Sequence, residues 1–312
     1  MSNKIKNICI QPHVLPWEVP SFKRGMTSFF RFYTPRERIN LHLHLTLNLS
    51  NFHTDWAKTE ENNRYERGYY NANNGLTKGE IITDLYSFIE KLGFSRSYLD
   101  ILTTKEPNGH IDTWKHTRSN FYDGYIMYCS DTYYHKDYLN TLLDIVEKTD
   151  HELTWISPTP DTERYKTLDL TNINEGKIGI ARVLSGGYCM GFGWFDYIST
   201  SILNLVGWPD FECYGPYDSY MGFIMTELYR SIPQLDYGHY NLTGDVIKPD
   251  CVFPEDEEHK ARFVVKQNKE EQRKSAEQDF FGQINRRLKD IYNHISCIEV
   301  RQNKENGLTE QK

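Results

Sequence analysis

Residues 39–49 constrain the fold most, because five leucines in this segment alternate with polar residues: Leu41, Leu43, Leu45, Leu47 and Leu49. A period of two places all five on one face of an extended strand. The run ends at Ser50 and Asn51, which are typical turn residues. We therefore expect a β-strand over this segment.

Further along the chain, helical and strand patterns alternate. Helical spacing of apolar residues over 81–92, 112–122 and 137–148 is interrupted by short apolar runs over 98–103, 125–129 and 153–157. This order predicts an α/β fold with a mixed, mainly parallel sheet flanked by helices and joined by right-handed crossovers. Because ligands of such sheets bind beyond the carboxyl ends of the strands, the segments 48–51 and 130–133 are the ones to examine.

A change of composition near residue 252 predicts two parts. Residues 1–252 are interpreted as one domain, with 1–38, rich in Pro, Arg and Phe, as an irregular lead-in. Residues 253–312 are interpreted as a charged linker, an amphipathic helical extension and a frayed tail. Apolar residues recur in that helix every three or four positions, at Phe280, Ile284, Leu288, Ile291 and Ile295. This face either packs on the first domain or forms a surface for oligomerisation or a partner.

Composition excludes several classes of protein. No uncharged apolar run reaches the roughly 18 residues that a spanning helix requires, and the N-terminus has no signal-peptide core, so we expect a cytoplasmic protein that does not contact membranes. The six cysteines form no CxxC pair, which argues against a disulfide framework or a zinc site. The net charge of -7 argues against a broadly nucleic-acid-coated surface but leaves room for a local basic groove.

The segment 118–131 carries the strongest chemical signal. Lys115 and Arg118 lie on the predicted helix before a buried strand, and that strand stops at Asp131. A carboxylate at such a strand end can hold a divalent cation, which in turn neutralises a diphosphate. Alternatively, Asp131 is the N-cap of a helix over 135–148.

Three later features also have two interpretations each. The glycine-rich loop 184–193, with Gly186 and Gly187, either brings backbone close to a ligand or makes ordinary turns. Asp218 precedes a predicted helix over 219–230, as a general base or as its N-cap. His239 is either a ligand or a structural histidine.

In their order along residues 38–250, these elements resemble the GT-A glycosyltransferases of the family-2-like group. Arg118-Ser119-Asn120 stands where that family has a basic element, and Cys129-Ser130-Asp131 stands where it has an Asp-x-Asp motif, with Cys129 replacing the first acid. Residues 207–223 resemble the family's acceptor-side segment. The resemblance implies a GT-A-like, Rossmann-related sheet and a hexosyl or pentosyl transfer from a nucleotide-diphosphate sugar, by default a UDP-sugar, to a hydroxyl.

The same resemblance implies a role for each candidate. Asp131 would bind Mn2+ or Mg2+ with His239, and Asp218 would be the base of an inverting reaction. Contacts to the nucleotide sugar would come from Asn48, Ser50, Asn51, Lys115, Arg118, Ser130, Gly186 and Gly187.

For the acceptor, the chain is similar in style to phage enzymes that add sugars to hydroxylated pyrimidines in DNA, which would place it in the host cytoplasm. Phosphate contacts would then come from basic residues near both ends, which are otherwise solvated surface charges: Lys23, Arg24, Arg31, Arg36, Arg38, Arg286, Arg287 and Lys289. Two alternatives stay open. One is a nucleotidyltransferase, although the glycine-rich phosphate loop expected near its first strand is absent, and the other is a non-catalytic nucleotide- or sugar-binding relative, because Cys129 replaces an acid.

Overall fold

The computed structural model describes residues 4–14, 18–48, 77–102, 114–115, 117–128, 133–134, 137–149, 151–160, 196–208, 217–232, 235–247 and 280–305. The strands are β1 (Lys6–Ile10), β2 (His13–Val14), β3 (Ile39–Asn48), β4 (Arg96–Leu102), β5 (Gly124–Met127), β6 (Tyr133–Tyr134), β7 (Leu153–Pro160), β8 (Asp196–Ser199) and β9 (Tyr237–Ile247). The helices are α1 (Val19–Phe30), α2 (Lys78–Glu90), α3 (Tyr138–Lys148), α4 (Thr200–Val206), α5 (Tyr217–Ser231) and α6 (Phe280–Glu305). None of these helices is both long and apolar enough to cross a membrane.

All the strands above belong to one sheet. Strands β1 and β2 lie on one side of β3 and β4 lies on its other side. Beyond β1 the order continues β5, β8, β7, β9 and β6. Strand β8 is antiparallel to β5 and β7, and β6 is antiparallel to β9, whereas the other pairs are parallel. The prediction of an α/β fold with a mixed, mainly parallel sheet is therefore confirmed.

The alternating leucines of β3 form the centre of one core, as the sequence predicts. Leu41, Leu43, Leu45 and Leu47 are at most 3% exposed. They pack with apolar residues of α1 and α2, among them Phe22 and Leu85. Burial of each such side chain stabilises the fold by about 1.5–3 kcal/mol.

A second core covers the other face of the sheet and includes α6. It combines Tyr125 of β5 and Met221 of α5 with Ile284 and Ile291 of α6. Of the two interpretations of the amphipathic helix, packing on the first domain therefore holds for these two isoleucines. Phe281, next to this face, remains 64% exposed.

The expectation of an irregular lead-in over residues 1–38 is wrong. Strand β1 lies between β3 and β5 and has no exposed surface at Ile8, Cys9 and Ile10. Two of the prolines that suggested irregularity lie at the ends of regular elements instead. Pro12 separates β1 from β2, and Pro20 lies in the first turn of α1, where the missing N–H has no helical partner to lose.

The helix predicted over 112–122 is also wrong for the described part of that segment. Only Trp114 and Lys115 are helical there, and residues 117–122 form turns. The Tyr125 hydroxyl donates to the Ser119 carbonyl and accepts from the Ser119 N–H, both at 2.7 Å. Because Tyr125 uses these backbone groups, they cannot join a helical ladder. The remaining predicted helices and strands occur within a few residues of their expected bounds, while β6, β8 and β9 were not predicted.

Candidate active site

The strand order reverses between β1 and β5. From β1 the chain steps to β3 and then to β4 on one side, and it returns to β5 on the other side of β1. In open α/β sheets, ligands bind in the crevice beyond the carboxyl ends of the strands at such a reversal. The candidate site therefore lies beyond Ile10 and Met127.

Gln11, the first residue after β1, holds this crevice together. Its N–H donates to the Ile126 carbonyl at 2.8 Å. Its side-chain Nε2 donates to Thr117 Oγ1 at 2.7 Å, and its carbonyl accepts from Trp114 Nε1 at 3.1 Å. These contacts fix the segment that contains Lys115 beside the reversal, where the resemblance expects nucleotide-sugar contacts.

Sequence reasoning missed Gln11, Trp114 and Thr117. The only signal for Gln11 was its place between a short apolar run and a proline. No pattern in the sequence pointed to Trp114 and Thr117 as its partners, because they are more than one hundred residues away.

Asn48 lies at the carboxyl end of β3, as predicted, but it has no exposed surface. Its Nδ2 is 3.0 Å from Nε2 of His13 in the neighbouring β2. Because it is buried, this amide belongs to the protein interior beside the carboxyl end of β3. The neighbouring candidates Ser50 and Asn51 lie outside the described residues.

Arg118 lies near Tyr125 of β5, on the side of Lys115 that is farther from the carboxyl ends of the strands. Burial raises the pKa of Tyr125 to about 12, and its hydrogen bond with Ser119 and the positive charge of Arg118 oppose this rise. Tyr125 is therefore a neutral phenol at physiological pH. The chain runs from Trp114, near the carboxyl ends of β1 and β5, to Asp123, near their N-terminal ends. There the Asp123 N–H donates to the Asn7 carbonyl at the start of β1. Lys115 consequently lies nearer the crevice than Arg118 does.

The structure corrects one interpretation of Asp131. Helix α3 begins at Tyr138, and its N-cap is Asp137, whose carboxylate accepts from the N–H of Asn140. Asp131 therefore does not cap this helix. Asp131 itself, Ser130, Gly186 and Gly187 lie outside the described residues, so their predicted roles stay predictions.

Asp218 is the second residue of α5, not the residue before a helix, so the N-cap interpretation is wrong. An acidic residue in the first turn of a helix interacts favourably with the helix dipole. Helix α5 is anchored by buried residues such as Met221, Ile224 and Met225. The role of Asp218 as a general base stays a prediction.

His239 is the third residue of β9 and pairs with Trp155 of β7. Along the sheet it is level with Tyr125 of β5, three strands or about 14 Å away. This position does not favour a shared ion with a residue that follows β5. The described ranges contain no group of three or more His, Cys, Asp or Glu side chains that could hold a metal. The predicted metal set of Asp131 and His239 thus remains untested.

Several cations expected to contact DNA are already bound within the protein. Lys23 pairs with Asp84 at 2.6 Å. Arg36 pairs with Asp144 at 2.5 Å and with Glu147 at 2.8 Å. A paired cation offers less charge to a phosphate backbone, so these contacts do not favour the DNA acceptor.

Comparison with known proteins gives matches to solved structures alone, since no family model and no curated protein matches the chain. S. aureus TarS 1–349 is 10% identical, with 80% of this chain and 63% of that chain covered and a TM-score of 0.47. The same TarS fragment in complex with UDP-GlcNAc is 10% identical over 78% of this chain and 58% of that one, with a TM-score of 0.44. The mannosyltransferase PcManGT from Pyrobaculum calidifontis, in complex with GDP-Man and Mn2+, is 11% identical over 78% and 56%, with a TM-score of 0.41.

This chain spans less than two thirds of the length of each of these structures. Because every TM-score is below 0.5, the similarity carries no weight for the function. The α/β class and the position of the crevice follow from the sheet of this chain itself.

Proposed function

We propose that this chain is a metal-dependent glycosyltransferase that moves a sugar from a nucleotide-diphosphate sugar, with a UDP-sugar preferred, to a hydroxyl acceptor. One observation carries the proposal. The reversal of strand order lies between β1 and β5, and Asp131 follows the end of β5 by four residues. Since Asp137 caps α3, the simplest structural explanation for Asp131 no longer applies.

In this proposal, the residues beyond β1 and β5 handle the diphosphate. Asp131 would hold Mn2+ or Mg2+, and a bound ion would neutralise negative charge on the departing diphosphate. Lys115, and Arg118 more remotely, would add positive potential to the same region, where preorganised charge stabilises a transition state most. His239 is a weaker second ligand because of its place in β9.

Asp218 would act as the base if the reaction inverts the sugar. Its carboxylate would take the proton of the acceptor hydroxyl while that oxygen forms its bond to the anomeric carbon. The bond from that carbon to the diphosphate oxygen breaks at the same time, and the nucleoside diphosphate leaves with the electron pair. A more specific proposal takes a hydroxylated pyrimidine of phage DNA as the acceptor. The ion pairs of Lys23 and Arg36 do not support it.

The site can be tested by thermal unfolding with a panel of nucleoside diphosphates, with and without manganese. We expect one nucleotide to raise the melting temperature of the wild type in a manganese-dependent way, because a ligand that binds only the native state stabilises it. At a ligand concentration of roughly 100 Kd, the gain is about 2.7 kcal/mol. Asp131→Ala should lose this gain, whereas Glu90→Ala, which removes an exposed carboxylate from α2, should keep it.

Absence of stabilisation by any nucleotide would contradict the proposal. Stabilisation that is indifferent to manganese and to Asp131→Ala would contradict the metal assignment. Stabilisation without any consumption of the matching sugar donor would favour the non-catalytic relative, which Cys129 keeps open.

A further inference from the structure

An elongated groove of about 540 Å³ lies between α5 and α6. Its volume lies within the range of roughly 300–1,000 Å³ typical of small-molecule sites. The residues that line it on α6 extend from Phe281 to Asn293. At a rise of 1.5 Å per residue, these positions span about 18 Å, so the groove suits an extended chain better than a compact molecule.

Aromatic rings of the two helices meet at one end of the groove. Phe223 of α5 contacts Phe281 at the start of α6, with ring centroids 5.7 Å apart.

Aromatic rings and amides dominate the lining. Phe281 is 64% exposed and Phe223 is 36% exposed, so both offer ring surface to a ligand. Asn285 and Asn293 each supply both a donor and an acceptor. Tyr292 also lines the groove, and its buried hydroxyl has no hydrogen-bond partner among the described residues.

Among the described residues of the lining, charge is balanced, since one acid, Glu227, accompanies one base, Lys289. A nucleic acid would require several cations to replace its counterions. A neutral ligand with many hydroxyl groups and exposed C–H faces matches the lining better. Aromatic faces carry partial negative charge that attracts C–H groups, and amides hydrogen-bond to hydroxyls.

We propose that the α5–α6 groove binds a neutral carbohydrate chain as the acceptor. This inference rests on the proposed glycosyltransferase activity, because it gives that reaction its acceptor class.

The test uses the full chain and an immobilised panel of neutral oligosaccharides of three or more sugars, with single-stranded and duplex DNA on the same surface. We expect the wild type to bind at least one neutral chain, and Phe281→Ala to bind it at least tenfold more weakly. Tyr86→Ala is the matched control, because Tyr86 is a 48% exposed aromatic residue on α2, distant in sequence from the groove. Its binding should equal that of the wild type.

Four results would overturn the inference. They are no binding of any neutral oligosaccharide by the wild type, equal binding by Phe281→Ala and the wild type, DNA binding that Phe281→Ala removes, and a dimer that light scattering detects in the wild type but not in Phe281→Ala. The last result would show that a second copy of the chain covers the groove.

Manganese-dependent stabilisation by nucleotides, measured on the same samples, separates this inference from the function on which it rests. If the wild type keeps that stabilisation while the panel fails, only the acceptor groove is wrong. If stabilisation is absent from the wild type, the glycosyltransferase proposal fails, whatever the groove binds.

Discussion

Replacement of Arg287 by methionine should loosen α6 from α4. The Arg287 guanidinium donates to the carbonyls of Val206 and Leu205, each at 2.8 Å, and more weakly to Asn204 at 3.5 Å. These carbonyls belong to the last turn of α4, where helical partners are lacking. A hydrogen bond to a charged group contributes about 1.5–3 kcal/mol.

Two good bonds therefore give an upper bound of about 3–6 kcal/mol. Because Arg287 is half-buried, water can replace part of these contacts, and methionine retains the packing of the aliphatic stem. We expect a loss of about 2–4 kcal/mol. At about 2 °C per kcal/mol for a chain of this size, the melting temperature should fall by about 4–8 °C.

Differential scanning calorimetry and urea unfolding would measure this change. Lys289→Met is the matched control, since Lys289 is an exposed cation on the same helix, and it should stay within about 0.5 kcal/mol of the wild type. Gly207→Ala should weaken the same contact from the other side. Gly207 has φ of +69°, and an added Cβ would lie 3.2 Å from Arg287 Nη2. Equal stability of Arg287→Met and Lys289→Met would refute the role of Arg287.

Three further predictions concern single residues. Gly124→Ala should lower the free energy of unfolding in urea by about 1–3 kcal/mol, because its Cβ would lie 2.5 Å from the Tyr197 ring; wild-type stability would contradict this packing. Burial, followed by the charge of Arg96, lowers the pKa of His42 below 6.5. The unfolded chain therefore binds the proton first as the pH falls, and stability should be lost as the pH falls below about 6.5. His42→Gln should make stability, measured by urea unfolding from pH 7 to 5, depend less on pH, and an unchanged slope would assign the loss to other groups. Asp218→Asn should slow sugar transfer by about 10²–10⁴-fold without changing donor affinity, and a wild-type rate would place the base elsewhere.

Local pattern was sufficient for elements in which apolar residues recur at the period of a strand or of a helix. The leucines of β3 alternate because one face of this strand packs on α1 and α2. Helix α3 was predicted almost to the residue, since Leu142 and Val146 repeat at helical spacing. In both elements, the spacing of the apolar residues identifies the side chains that face the core.

Strand β1 has no such pattern, because apolar residues lie on both of its faces. Ile8, Cys9 and Ile10 form a continuous apolar run, which does not distinguish a strand from other buried structure. The turns of 117–122 escaped prediction for a different reason. They depend on the Tyr125 hydroxyl, whose bonds to Ser119 replace helical bonds. Tertiary contacts of this kind leave no local signal.

For Asp131, the sheet topology bears on the two interpretations that the sequence leaves open. From the sequence, an acid after a short strand is equally well explained as the cap of the next helix. The structure gives that cap to Asp137 and places β5 beside β1 at the reversal of the sheet. Neither fact is visible in the pattern around Asp131, because each depends on pairing between distant segments.

The distribution of charge gives the last argument about the acceptor. A chain of net charge -7 must concentrate positive potential locally if it is to bind a diphosphate. Among the basic residues expected to contact DNA, Lys23 and Arg36 are paired with acidic partners and Arg287 donates to backbone carbonyls. These three contacts leave less positive charge for a phosphate backbone, whose binding depends on many released counterions. Within the proposed reaction, they therefore favour an acceptor without phosphate.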